Sequence, residues 1–168
     1  VSPENAPSKA LDICWKFGSG PVIISNDQRL VDTGITPLLQ KEMGAALWDP
    51  EKGDENIHIA EKAKTGVVFA EYGLTESGGI VLFSAPERGR SVSLLPEASL
   101  FVLRKSTILP RVAQLAQKLH DMAQEGQRMP SCINLIGGPS STADIELIKV
   151  VGVHGPVHAT YLIIDDCA

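Results

Sequence analysis

No Cys-x-x-Cys occurs in this 168-residue chain, and its three cysteines, Cys14, Cys132 and Cys167, are odd in number and far apart. That excludes iron–sulfur or structural zinc ligation by this chain alone, and fits reduced thiols in a cytoplasm better than a disulfide framework. Long apolar runs are also missing: "GVVFA", "GGIVLF" and "ATYLIID" fall far short of the ~20 residues that cross a bilayer. There is no excess of positive charge either. With 15 Lys and Arg against 20 Asp and Glu, the net charge of −5 offers no field for phosphate backbones or anionic lipid. No nucleic acid and no membrane span are therefore expected. Aromatic residues are few, at 5%, while the apolar 43% and charged 21% are ordinary for a globular protein. The opening "VSPENAPSKALD" has neither an initiator Met nor the apolar core of a signal peptide. Residues 1–19 are accordingly set apart as a trimmed or discontinuous N-terminal segment, and residues 20–168 are read as one domain.

What the chain does have is an alternation of short Val- and Ile-rich runs with segments of helical period, the pattern of a mainly parallel sheet covered by helices. Strands are predicted at "GPVIIS" (20–25), "AALWD" (45–49), "GVVFAE" (66–71), "GIVLF" (79–83), "ASLFVLR" (98–104), "CINLIGG" (132–138) and "HATYLIID" (158–165). "TPLLQKEMG" predicts a helix with Thr36 as N-cap, Pro37 at the first helical position and Gly44 as C-cap. "DENIHIAEKAKTG" predicts another, opening on Asp54. The strongest is "STILPRVAQLAQKLHDMAQEG", where Val112, Leu115, Ala116, Leu119, Met122 and Ala123 repeat on one face and Gly126 terminates it. Between Glu71 and Glu97, extended pieces joined by Gly- and Ser-rich loops read as a β-hairpin or meander.

Three stretches carry residues suited to chemistry. In "INLIGGPSSTADIE" a strand ends on Gly137 and Gly138, and the pair Ser141 and Asp144 has capping-box spacing for a short helix. Such a junction either holds an anion on free N–H groups, with Ser140 and Ser141 alongside, or is only a capped turn. It lacks both the Walker lysine and the GxGxxG fingerprint. "APERGRSVS" sets Arg88 and Arg90 beside serines, able to grip a carboxylate or phosphate through forked contacts, or simply solvated. "TESGG" places Glu76 next to Ser77, Gly78 and Gly79, where a carboxylate can act as nucleophile or base. His154 is a candidate acid, base or oxyanion donor. No metal site is expected, because Gly155 and Pro156 break the helix on which His154 and His158 would converge.

Taken together, "GLTESGGIVLFS", "GRSVSLLPE" and "GGPSSTADIELIKVVGVHGP" resemble, in order and spacing, the LUD domain family, within it the lactate utilization protein C (LutC/YkgG) group. The resemblance runs from about Gly66 to Asp166. It implies a three-layer α/β fold with a mainly parallel sheet, like the NagB/RpiA/CoA-transferase group. It further implies a cytoplasmic, cluster-free component of an L-lactate oxidation system (lactate to pyruvate). Such a component binds a small anionic metabolite, carries no cofactor of its own and works with iron–sulfur-containing partner subunits. Two alternatives stay open: a stand-alone small-molecule enzyme related to CoA transferases or 5-formyltetrahydrofolate cyclo-ligase, and an interaction scaffold. The ligand site expected from the motifs comprises Ser77, Gly78, Gly79, Arg88, Arg90, Gly137, Gly138, Ser140, Ser141 and Asp144, with Glu76 and His154 as candidate catalytic groups.

Overall fold

The structure is a computed structural model that describes residues 1–143 and 147–167. Its chain order is α1 (Ala6–Lys16), β1 (Val22–Ile24), α2 (Gln28–Asp32), α3 (Ile35–Met43), β2 (Ala46–Leu47), α4 (Asp54–Lys62), β3 (Thr65–Phe69), β4 (Tyr72–Leu74) and β5 (Gly79–Phe83). There follow α5 (Ser91–Leu94), β6 (Ala98–Arg104), β7 (Ile108–Leu109), α6 (Val112–Gln124), β8 (Ile133–Ile136), β9 (Ser141–Thr142), β10 (Val150–Val151) and β11 (His158–Ile164).

Five strands form a parallel sheet in the order β2-β1-β3-β6-β11. Its strands are unbroken apolar runs because both faces are covered. On one face Ile24, Phe69, Val102 and Ile164 pack with Ala6, Ala10 and Cys14 of α1, Leu30 of α2 and Leu39 of α3. On the other, Ile23, Val68 and Phe101 meet Ala60 of α4, Val92 of α5, and Ile80 and Leu82 of β5. Residues β5 contributes here belong to a second sheet, ordered β7-β4-β5-β8, in which β4–β5 is the expected hairpin. Its outer face, with Leu74 and Val81, is closed by Leu115 of α6. The N-terminal segment shares this packing: Phe17 stacks on His158 with ring centroids 5.2 Å apart. Burial in α1 pushes the Cys14 thiol up to about 12, which keeps it protonated.

Gly66 shows how closely the layers approach. A Cβ there would lie 1.8 Å from the carbonyl oxygen of Val92, so the second residue of β3 is a glycine because α5 rests its backbone against it.

Two expectations fail. Thr36 is not the N-cap of its helix and Pro37 is not its first residue: α3 starts two residues earlier, at Ile35, after Gly34 at φ 77°. Ile35 is drawn into the helix because it is wholly buried, and Thr36 goes inside with a hydroxyl that has no partner among the described residues. Gly44, at φ 61°, does end the helix. Ser141 does not cap a helix either. Ser141 and Thr142 form β9, paired antiparallel with Val150 and Val151, because an extended partner of two valines is available to satisfy their backbone groups. Asp144, the other half of the expected capping pair, lies outside the described residues. The hairpin region also holds a helical turn, α5, that its serine-rich sequence does not announce.

Candidate functional site

In an open parallel sheet, ligands gather at the carboxyl ends of the strands, where the chain reverses its direction of travel across the sheet. Here the chain leaves β1 for β2 on one side and returns to β3 on the other, so that point lies between β1 and β3. Two charged segments leave the sheet there.

After β1 the chain runs Ser25, Asn26, Asp27. Asp27 is the N-cap of α2, its carboxylate accepting from the backbone N of Arg29 at 3.0 Å. The side chain of Arg29 folds back on the same carboxylate, with Nε to Oδ1 at 2.9 Å and Nη2 to Oδ2 at 2.6 Å. Arg29 also reaches Oε1 of Glu71, just past β3, at 2.8 Å, and lies over the Phe69 ring at 4.6 Å. Arg88 donates from Nη1 to the same Glu71 oxygen and sits 3.6 Å from Asp27 Oδ2. The second oxygen of Glu71 accepts from the backbone N of Phe83 at 2.8 Å. Two cations and two anions thus close a network across three distant parts of the chain. Burial alone would raise the Asp27 pKa, but the hydrogen bonds and charge of Arg29, helped by Arg88, outweigh it and hold this carboxyl below its usual range.

The loop bearing Arg88 and Arg90 is pinned by Trp48, at the end of β2. Its Nε1 donates to the Pro86 carbonyl at 2.8 Å. A Cβ on Gly89 would sit 2.1 Å from the Trp48 ring, so only glycine lets the loop lie so close. Asn26 N donates to the Glu87 carbonyl at 3.0 Å, tying the loop to β1 as well. Behind the loop is a cleft of about 20 Å³ whose polar lining includes Ser25, Ser84, Arg88, Arg90, Ser93 and Asn134. Ser25 is 1% exposed, and its Oγ has no hydrogen-bond partner among the described residues. An unpartnered buried hydroxyl costs roughly 1–3 kcal/mol.

Arg88 and Arg90 thus both line the cleft behind their loop. Gly138, Ser140 and His154 line an adjoining hollow of about 160 Å³, and Ser93 borders both spaces. The second and third motifs thus meet. The first motif is divided: its Leu82, Phe83 and Ser84 line the cleft, whereas Gly78 and Gly79 line a separate apolar cavity of about 200 Å³ with Tyr161 and Leu103. Ser77 Oγ accepts from Gly79 N at 3.2 Å within its own turn. Glu76 accepts from the backbone N of Val112 at 2.5 Å, capping α6. Gly137 and Ser141 are exposed. Sequence reasoning missed Ser25, Asp27, Arg29, Glu71 and Asn134. The available signal was polar residues directly following the apolar strands "GPVIIS" and "GVVFA", the ends where an open α/β sheet binds ligands. Among the described residues no group of three or more His, Cys, Asp or Glu side chains could hold a metal ion, and no helix is long and apolar enough to cross a membrane.

The fold is that of an open α/β protein with a charged crevice at the turning point of its parallel sheet. The family model described as "LUD domain" matches residues 1–164, and the chain belongs to that family. The match therefore includes the residues ahead of Gly66, which the three motifs leave uncovered. The Escherichia coli (strain K12) protein called uncharacterized protein YkgG is 69% identical over 167 residues, 99% of this chain and 72% of that protein. Lactate utilization protein C of Macrococcus caseolyticus is 48% identical over 166 residues, 99% of this chain and 71% of that one. Lactate utilization protein C of Bacillus subtilis is 47% identical over 156 residues, 90% of this chain and 65% of that one. The crystal structure of a DUF162 family protein from Deinococcus radiodurans shares the fold, with a TM-score of 0.51 at 16% identity, covering 98% of this chain and 99% of that one.

Proposed function

We propose that this protein serves lactate utilization in the cytoplasm, as a cluster-free component of a system that oxidises L-lactate to pyruvate beside iron–sulfur-containing partner subunits. One observation carries the reading: relatives 48% and 47% identical over nearly the whole chain are lactate utilization protein C. The absence of any Cys-x-x-Cys in the sequence agrees with leaving the clusters to partners. A crevice with arginines at its mouth also suits a small anionic ligand. The CoA-transferase-like alternative is not adopted, because it needs the Glu76 carboxylate free at a cleft and that group caps α6.

The test is genetic and biochemical. Deleting the gene is expected to abolish growth on L-lactate as sole carbon source while sparing growth on glucose, and the tagged protein is expected to co-purify from lactate-grown cells with a protein showing iron–sulfur absorption. Normal growth of the deletion strain on L-lactate would overturn the proposal.

A further inference from the structure

We infer that the cleft between the ends of β1 and β3 binds the carboxylate of a small 2-hydroxy or 2-oxo acid, with Ser25, Arg90 and Asn134 as its donors and Arg88 as its charged wall. The choice of acid rests on the proposed role in lactate utilization; the choice of a carboxylate rests on the cleft itself.

The polar groups left unsatisfied in this space can all donate. Ser25 closes its floor with a hydroxyl that has no partner among the described residues. Among the described residues, Arg90 is the lining cation outside the four-charge network, and its guanidinium makes a single hydrogen bond, a long one of 3.9 Å from Nη1 to the Cys132 sulfur. Asn134 accepts from the Cys132 thiol at 3.6 Å through Oδ1, and among the described residues nothing accepts from its amide NH2 group. Arg88 spends Nη1 on Glu71 and Asp27 and keeps Nε and Nη2. The carboxylates that could repel an anion are already engaged. Both Asp27 oxygens accept from Arg29, and the two Glu71 oxygens accept from Arg29, Arg88 and Phe83 N. Neither acid lines the cleft. Ser84 and Ser93 are satisfied internally, by Cys132 and by the Arg90 carbonyl.

Donors without acceptors, one of them an uncompensated guanidinium, define an anion site, and forked guanidinium geometry matches the two oxygens of a carboxylate. The space of about 20 Å³ is little more than the roughly 10–15 Å³ that one water needs, so it takes the carboxylate end alone, and the rest of the acid lies toward the adjoining hollow of about 160 Å³ that shares Ser93. Val68, Phe69 and Leu82 also line the space.

Isothermal titration calorimetry with pyruvate, L-lactate, acetate and inorganic phosphate tests the assignment. Saturable binding of pyruvate or L-lactate is expected, with phosphate weaker. Arg90→Ala and Ser25→Ala should each weaken it about 10-fold, the loss of one charge-assisted hydrogen bond. Ser25→Ala should leave the thermal midpoint unchanged or higher, because it deletes a buried hydroxyl with no partner among the described residues; this separates lost binding from lost folding. Glu76→Ala, on the separate turn, should bind normally. The assignment is overturned if none of the four anions binds, if phosphate binds more tightly than the acids, or if the Ser25 and Arg90 variants bind like the wild type. A protein required for growth on L-lactate that binds none of them sinks this site and keeps the proposed function. One that binds pyruvate but is dispensable for growth on L-lactate does the reverse.

Discussion

The crevice at the ends of β1 and β3 and the stretch from Gly137 to Pro156 are built on opposite plans. In the crevice, Asp27, Arg29, Glu71 and Arg88 come from three separate segments, and the Asp27 side chain is 5% exposed. In the stretch, chemically suggestive residues crowd together in sequence, yet its described residues bond locally, from Ser140 N to the Pro156 carbonyl and from Gly152 N to the Ser140 carbonyl. Leu147 there is 90% exposed. Density of glycines, serines and histidines along a chain therefore marks turns as readily as sites. Charges brought together from distant segments cost desolvation to bury and persist only where partners and hydrogen bonds offset that cost.

The largest way to break this contrast is Arg29→Ala, which strips both Asp27 and Glu71 of a partner and is expected to destabilise by about 3–5 kcal/mol in urea denaturation. Gly66→Ala comes next. Its Cβ would meet the Val92 carbonyl at 1.8 Å, and the forced shift of α5 should cost about 3 kcal/mol, read as a lower denaturation midpoint.

Acid breaks the same network more gently. Because Asp27 has a lowered pKa when folded, its contribution is fully present above the unfolded carboxyl value of about 3.9 and is lost as pH falls through the folded value. The denaturation midpoint should drop below about pH 4, and the acid limb should flatten in Asp27→Asn. Smaller still, Glu76→Ala removes the cap on Val112 N and should cost about 1 kcal/mol without altering anion binding. The smallest effect belongs to the glycine-rich stretch: a Cβ on Gly137 meets nothing within 4 Å, so Gly137→Ala should stay within about 0.5 kcal/mol.

Much of the architecture was legible in advance. The runs "ASLFVLR" and "GIVLF" are β6 and β5 residue for residue, because an apolar β-branched run bounded by Gly and Pro has few other uses. Gly44 and Gly126, at φ 61° and 69°, end their helices as their positions predict. Of the site, Arg88 and Arg90 were legible as forked donors in a glycine-containing loop. Their partners were not, since nothing local ties Glu71 to Arg29.

By itself, then, the sequence determined the main strands, the helices α3, α4 and α6 and, through three motifs, the family. These depend on local preference, side-chain chemistry and order along the chain. Only the tertiary structure decided that Ser25 faces a cleft with no partner among the described residues, that Glu76 caps a helix, and that Ser141 pairs as a strand. Each of those depends on which distant backbone or side chain arrives beside the residue, and that is set by the crossing of the chain between β1 and β3 and by the docking of the second sheet.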